Sequence, residues 1–184
     1  MGSPVQGTAA ADVRALVEGH ETATPREAAA KERFLSELER LPRPCDERAG
    51  PTHVTASGIV VGPRGTVLHR HKRLGVWLQP GGHIDAGEAP WTAAQREATE
   101  ELGLVVAHPG SGPRLLHLDV HPAAHGHTHL DLRYLLVAPD VDPAPPPGES
   151  PEARWYGWEE AAAVADEGLA EALPLARAAY EDLA

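Results

Sequence analysis

The sequence of 184 residues has little of what marks several large classes of protein. It contains only two lysines, Lys31 and Lys72, and its formal net charge is −11. This charge argues against a nucleic-acid polymer as partner, because affinity for a phosphate backbone depends on clustered basic residues. The single cysteine, Cys45, excludes a disulfide within the chain.

Long hydrophobic runs are also missing. No stretch approaches the roughly 18 continuous apolar residues of a membrane helix. The N-terminus lacks the basic start and the apolar run of a secretory signal. We therefore expect a cytoplasmic protein with no membrane partner. Hydrophobic residues still make up 42% of the chain, which is enough for the core of one domain.

Periodicity divides the chain into two parts. Helical patterns over 12–21 and 25–41 predict an N-terminal helical extension at residues 1–50, which either packs on the main domain or binds a partner. Residues 51–184 alternate strand and helix patterns and predict an α/β domain. Strands are predicted at 53–61, 66–71, 77–78, 115–120, 128–138 and 153–158, and helices at 89–102, from 159 and at 169–183.

Three glutamates are crowded on the helix predicted at 89–102. Glu97 is three residues before Glu100 and four before Glu101, and both spacings place the side chains on one helical face. Each like-charge pair destabilises an exposed helix by roughly a few tenths of a kcal/mol. The cluster would therefore stabilise the folded chain only if a cation binds among the three carboxylates. Carboxylate oxygens suit Mg²⁺ or Mn²⁺, which also bind substrate phosphates. A solvated acidic face is the alternative interpretation.

The loop before this helix supports a cation site. Pro80-Gly81-Gly82 allows the backbone to approach an ion closely, and a carbonyl at Gly82 would add a ligand. Arg96 is expected to bridge to a carboxylate such as Glu88 and to hold it in place.

The segment from Gly82 to Leu104 resembles the Nudix box. The order is Gly, five residues, Glu, seven residues, Arg-Glu, an aliphatic residue, any residue, Glu-Glu, any residue, Gly and an aliphatic residue. Every fixed position matches, with Ala98 as the smallest aliphatic residue that fits. The resemblance extends over residues 51–165. It implies an α/β/α sandwich with a mixed sheet, and hydrolysis of a nucleoside diphosphate linked to another group, in a nucleotide or a nucleotide-sugar-like small molecule.

The resemblance also implies roles for individual residues. Glu97, Glu100 and Glu101 would bind the divalent metal, with Glu88 helping directly or through water. One of these carboxylates, or a glutamate outside the box, would activate the attacking water, and Arg96 would complete the catalytic group. The partner would be a small phosphorylated molecule. The oligomeric state stays open, and a homodimer is one alternative because dimers are common among relatives. A ligand sensor of the same fold, binding a nucleotide without turnover, is the alternative.

The eleven histidines predict a second site. His127, His129 and Asp131 fall at every second position of a predicted strand and therefore share one face. His53 begins the first strand of the sheet, and His83 follows the box glycine. Imidazole and carboxylate ligands suit an additional transition metal such as Zn²⁺, Fe²⁺ or Mn²⁺. The alternative is a set of polar side chains that contact substrate.

These positions resemble the metal site of the isopentenyl diphosphate isomerases, which share the Nudix fold. His53 and His83 align with two of their histidine ligands, and His129 and Asp131 lie near their two glutamates. The isomerase cysteine nucleophile would fall at Gly81, which has no side chain to perform that role. An isomerase-like enzyme is therefore a further alternative, and a disfavoured one.

Four other residues are candidates for substrate binding. Arg70 and Arg73 belong to the one dense basic run and would meet a terminal phosphate, unless they form a solvated hairpin end. Tyr134 and Tyr156 would stack on a nucleobase, a contact worth about 1–3 kcal/mol per base in related sites.

Overall fold

A computed structural model describes residues 6–183. The first five residues of the predicted extension and Ala184, at the end of the predicted domain, lie outside the described residues. The helices and strands of the described part are α1 (Gln6–Gly19), α2 (Pro25–Leu38), β1 (Thr52–Gly62), β2 (Gly65–Arg70), β3 (Trp77–Leu78), β4 (Gly81–His83), α3 (Pro90–Leu102), β5 (Leu115–Pro122), β6 (Thr128–Val137), β7 (Ala153–Tyr156), α4 (Trp158–Val164) and α5 (Glu167–Glu181).

The strands form one mixed sheet with β1 at its centre. The order is β3-β2-β1-β6-β5, with β4 paired to β1 and β7 paired to β2. β1 and β6 are parallel, and the other pairs are antiparallel. In the parallel pair His53 lies opposite His129, and Thr55 lies opposite Asp131. The predicted mixed sheet is confirmed.

Helices cover both faces of this sheet. On one face α3 packs with α1 and α2 over apolar side chains of β1 and β6 such as Val54 and Leu132. On the other face α4 and α5 pack on Ile59 and Leu135. This confirms the predicted α/β/α sandwich. β1 is buried over almost its whole length because both of its faces are covered.

The ends of α3 follow from its sequence. Pro90 occupies the first turn, where its missing N–H is not needed. Gly103 follows the last turn with φ 61°, and its N–H donates to the carbonyl of Thr99. A Cβ at Gly103 would also collide with the carbonyl of Ala144, so both the positive φ and the close contact require glycine at this position. α3 is therefore held in a fixed register against the sheet.

α2 is anchored to the edge strand β5 through Glu27. This side chain is fully buried, and its carboxylate accepts hydrogen bonds from the amides of Ala23 at 2.7 Å and Leu118 at 3.0 Å and contacts Nε2 of His20 at 2.7 Å. Burial raises the pKa of Glu27. The hydrogen bonds from His20 and from the two amides together lower it by more, so the net shift of the pKa is downward. Thr24 caps the same helix.

No helix in the described part of the chain combines the length and the apolar character that a bilayer crossing requires.

Candidate active site

The three glutamates of α3 lie beside the short strand β4. The amide of Gly81 donates to Oε2 of Glu101 at 2.9 Å. A Cβ built on Gly82 would lie only 2.7 Å from Cδ of Glu97. Gly82 thus lets the backbone of β4 approach Glu97 more closely than any other residue would allow, whereas a Cβ at Gly81 would collide with Ser57 of β1. The sequence predicted this close approach, but it predicted a loop at Gly81 and Gly82 where the structure has a strand.

Arg96 connects the box loop to the glutamates. Its Nε and NH2 donate to the two oxygens of Glu88 at 3.0 and 2.8 Å, which is the predicted bridge. NH1 donates to Glu97 at 2.7 Å and to Glu100 at 3.4 Å. NH2 also donates to the carbonyl of His83 at 3.0 Å. One guanidinium therefore fixes the loop, the end of β4 and the start of the acidic cluster.

Negative charge in this cluster exceeds the positive charge. Burial raises the pKa of Glu101 to about 7, and the neighbouring Glu97 adds to the shift against the opposing hydrogen bond from Gly81. Burial also raises the pKa of Glu97. Carboxylate oxygens with surplus negative charge fit a hard divalent cation. Gly82 leaves open the space beside Glu97 that a Cβ would fill.

Three residues near Glu101 were not predicted for this site. Nε2 of the buried His69 lies 3.8 Å from its Oε2. Glu149 lies close enough to raise the pKa of Glu101 further, and Lys72 opposes it. The Lys72 ammonium donates to the carbonyl of Gly148, in the loop between β6 and β7 that also carries Glu149. The sequence did not indicate that Lys72 and Glu149 lie near Glu101, because residues so far apart in the chain are brought together only by the fold.

The predicted histidine group is brought together without Asp131. The ring centroid of His53 lies 5.0 Å from those of His83 and His129 and 5.3 Å from that of His127. Asp131 shares their sheet face but lies further along β6. The structure corrects its assignment to this group.

Asp131 belongs instead to a buried polar network. Its oxygens accept hydrogen bonds from Thr55 at 3.0 Å, Ser57 at 2.7 Å and Nε of Arg133 at 3.1 Å. Arg133 is 1% exposed and also donates to Asp119 at 2.8 Å. These three donors occupy most of the roughly four lone-pair sites of the carboxylate and hold it in this network.

The two tyrosines predicted to stack on a base are core residues. Tyr134 and Tyr156 are each 1% exposed. The guanidinium of Arg154 lies 4.0 Å from the centroid of the Tyr156 ring, and Trp77 contacts the ring edge. The stacking prediction for these two tyrosines is therefore wrong.

The two arginines of the basic run lie at the surface. Arg70 pairs with Glu152 at 3.0 Å and donates to the carbonyl of Gly75. NH1 of Arg73 lies 3.1 Å from Nε2 of His125. Their contact with a terminal phosphate stays a prediction.

The fold and the acidic helix define an α/β/α hydrolase domain, and comparison with known proteins identifies its family. Residues 51–176 match the NUDIX domain, which covers about two thirds of the chain. The chain belongs to the Nudix family of hydrolases, which act on diphosphate bonds of small phosphorylated substrates and generally use divalent metals. Among curated proteins no sequence matches the chain.

Solved structures agree with this assignment. A NUDIX-family hydrolase from Clostridium perfringens is 31% identical, covers 72% of this chain and 98% of its own, and has a TM-score of 0.58. An Ap4A hydrolase from C. elegans is 20% identical, covers 70% of this chain and 97% of its own, and has a TM-score of 0.56. A UDP-X diphosphatase is 16% identical, covers 96% of this chain and 94% of its own, and has a TM-score of 0.54. The last two show likeness of fold alone.

Proposed function

We propose that this chain hydrolyses a diphosphate bond in a nucleoside diphosphate linked to another group, with Mg²⁺ or Mn²⁺ bound by Glu97, Glu100 and Glu101. The observation that carries the proposal is the packing of Glu101 against Gly81 and of Glu97 against Gly82, with Glu100 beside them on α3 and the guanidinium of Arg96 paired to Glu97 and Glu100. A structural role for such a cluster would favour neutral or alternating charges.

The donor set supports different roles for the four glutamates. Glu97 and Glu101 are fixed against β4, and Glu100 is the most exposed of the box glutamates. Both oxygens of Glu88 are bonded to Arg96, so we assign Glu88 to holding Arg96 in place. The bound cation would offset charge that develops on the diphosphate oxygens and position the attacking water.

The protein's own groups then position the reactants and accept a proton. The Gly81 amide holds the Glu101 carboxylate, and Arg96 holds Glu97. A carboxylate of this cluster, or Glu149 from outside the box, takes the proton of the attacking water. Both candidates agree with the surplus of negative charge around Glu101.

The substrate class is supported by charge and by likeness. A chain with a net charge of −11 does not suit a polyanion, whereas a small diphosphate carries its own cation into the site. The likeness to an Ap4A hydrolase and to a UDP-X diphosphatase supports a substrate in which a diphosphate joins a nucleoside to a second group.

A panel of substrates tests the proposal. Sugar-linked nucleoside diphosphates, dinucleoside polyphosphates and nucleoside triphosphates are incubated with the protein and Mg²⁺ or Mn²⁺. For the sugar-linked and dinucleoside compounds, phosphate is measured after a phosphatase has removed newly exposed phosphoryl groups. For the triphosphates, release of phosphate or pyrophosphate is measured without the phosphatase. At least one class is expected to be cleaved, and only with metal. Glu100→Gln and Glu101→Gln are expected to lower kcat at least about 100-fold, while Glu32→Gln on the exposed side of α2 is the matched control.

Two results would contradict the proposal. Full activity in either box variant would show that the assigned glutamates do not act in turnover. Nucleotide binding without cleavage of any compound would favour a sensor. Circular dichroism of each variant separates loss of activity from loss of the fold.

A further inference from the structure

One corner of the sheet brings together histidines from three strands. His53 on β1 is the register partner of His129 on β6, and His83 ends β4, which pairs with β1. The ring centroids of His83 and His129 are 5.8 Å apart, and each lies 5.0 Å from that of His53. One nitrogen from each ring lies within 4.8 Å of the other two.

His53 is the buried member of this group and has no hydrogen-bond partner. Its side chain is completely inaccessible, and neither Nδ1 nor Nε2 is bonded. Buried polar side chains in proteins are nearly always satisfied, so an unpartnered ring calls for an explanation. A ring nitrogen without a hydrogen-bond partner, facing the nitrogens of two other imidazoles, has its lone pair available for a metal.

His83 is oriented by an acidic neighbour. Oε2 of Glu47 lies 3.1 Å from its Nδ1. Metal-bound histidines usually donate the proton of their second ring nitrogen to a carboxylate or a carbonyl, which fixes the tautomer. The contact with Glu47 leaves Nε2 of His83 free to bind an ion.

We propose that His53, His83 and His129 form a binding site for a transition-metal ion such as Zn²⁺, separate from the carboxylates of α3. Three imidazole nitrogens suit Zn²⁺ and not Mg²⁺, which prefers oxygen ligands. Ligand nitrogens of a tetrahedral zinc site lie about 3.4 Å apart, given Zn–N distances of about 2.0–2.1 Å. Side-chain rotations that move each ring nitrogen by roughly 1 Å would bring the three nitrogens to that separation. His121 and His127 flank the three ligands, with ring centroids 5.5 Å from His129 and 5.3 Å from His53.

β4 places this site beside the candidate active site. Gly82 faces Glu97 on the α3 side of the sheet, and the next side chain, His83, points to the opposite face. The carbonyl of His83 also accepts from Arg96. An ion bound by the three histidines would tie β4 to β1 and β6 and keep a fourth position for water or a substrate oxygen. The inference does not depend on the proposed hydrolysis.

Zinc binding to the whole chain tests the proposal. The protein is expressed without a histidine tag, treated with a chelator and titrated calorimetrically with Zn²⁺ in excess Mg²⁺, which is expected to give one equivalent of bound zinc. His83→Ala and His129→Ala, at partly exposed positions, are expected to weaken binding at least about 100-fold, and Glu47→Gln about 10–100-fold. His125→Ala, at an exposed position beside Arg73, is the matched control and keeps the affinity.

Several outcomes would overturn the proposal. They are the absence of zinc binding, displacement of zinc by Mg²⁺, and unchanged affinity in both histidine variants. Unchanged zinc affinity in Glu97→Gln supports the separation from the carboxylates, and loss of binding there contradicts it. Circular dichroism checks the fold of each variant. The visible spectrum of the Co²⁺-loaded wild-type chain gives a second measurement: strong absorption supports nitrogen coordination, and weak absorption typical of octahedral oxygen ligands contradicts it.

Discussion

Replacing Gly82 with alanine would add one methyl group at the centre of the candidate active site without removing a charge. The new Cβ would lie 2.7 Å from Cδ of Glu97 and 2.8 Å from both of its carboxylate oxygens. Ordinary contacts of a Cβ begin near 3.4 Å, so the carboxylate must retreat by about 0.7 Å. That retreat also alters its hydrogen bond with Arg96.

Gly82→Ala is expected to affect catalysis far more than stability. The displaced atoms are the end of a flexible side chain, and the backbone of Gly82 is not in the left-handed region. The free energy of unfolding should therefore change by less than about 1 kcal/mol, since alanine also restricts the unfolded chain. Misplacing a catalytic group by about 1 Å lowers rates by about 100-fold. We expect kcat to fall by about that factor.

Steady-state hydrolysis of the best substrate from the panel, with saturating Mg²⁺, measures this effect, and thermal denaturation measures stability. Gly110→Ala is the matched control, because a Cβ there meets nothing within 4 Å. If kcat of Gly82→Ala stays within about threefold of the wild-type value, the placement of Glu97 at the reaction centre is refuted.

Two further substitutions test what positions the site and what holds the extension. Arg96→Lys keeps the charge but loses the paired hydrogen bonds to Glu88, so kcat should fall about 10–100-fold in the same assay. Glu27→Gln should lower the free energy of unfolding by about 3 kcal/mol at pH 7. The lowered pKa of Glu27 means that its stabilising contribution is present above its ordinary value of 4.5 and is lost as the pH falls through the lowered value. Urea denaturation from pH 7 to pH 3 should show the wild-type and Glu27→Gln curves converging, whereas a Glu32→Gln control, at an exposed position, should follow the wild type throughout.

The sequence predicted the parts of the fold that depend on local periodicity. The order of the helices and of the longer strands and the end of α3 before Gly103 follow from side-chain spacing and glycine chemistry, and α3 starts one residue after the predicted position 89. The bridge from Arg96 to Glu88 was also predicted, because an arginine on α3 can pair with a carboxylate in the loop just before that helix.

Contacts between distant elements were harder to predict. Alternation along β6 placed His129 and Asp131 on one face, but it could not show that Asp131 is bonded to residues of β1 and to Arg133. β4 was missed as a strand because glycine carries no side chain to reveal an alternating pattern. The prediction for Tyr134 was wrong because a strand pattern does not show which face of the sheet a helix covers. In the structure Tyr134 lies in the core on the face covered by α3.

The charge of the candidate site explains why cation binding and substrate binding would be linked. Glu97 and Glu100 pair with Arg96, but this guanidinium is already bonded to Glu88 through two of its nitrogens, and Glu101 has His69 and Lys72 near it instead. A phosphate charge about 6 Å from one uncompensated carboxylate is repelled by roughly 3 kcal/mol at an effective dielectric constant of about 20, which is about 100-fold in affinity. The positive charge that reverses this repulsion has to come with a divalent cation, because nearby side chains do not supply enough. By linkage, a bound cation strengthens binding of the diphosphate by the same factor by which a bound diphosphate strengthens binding of the cation.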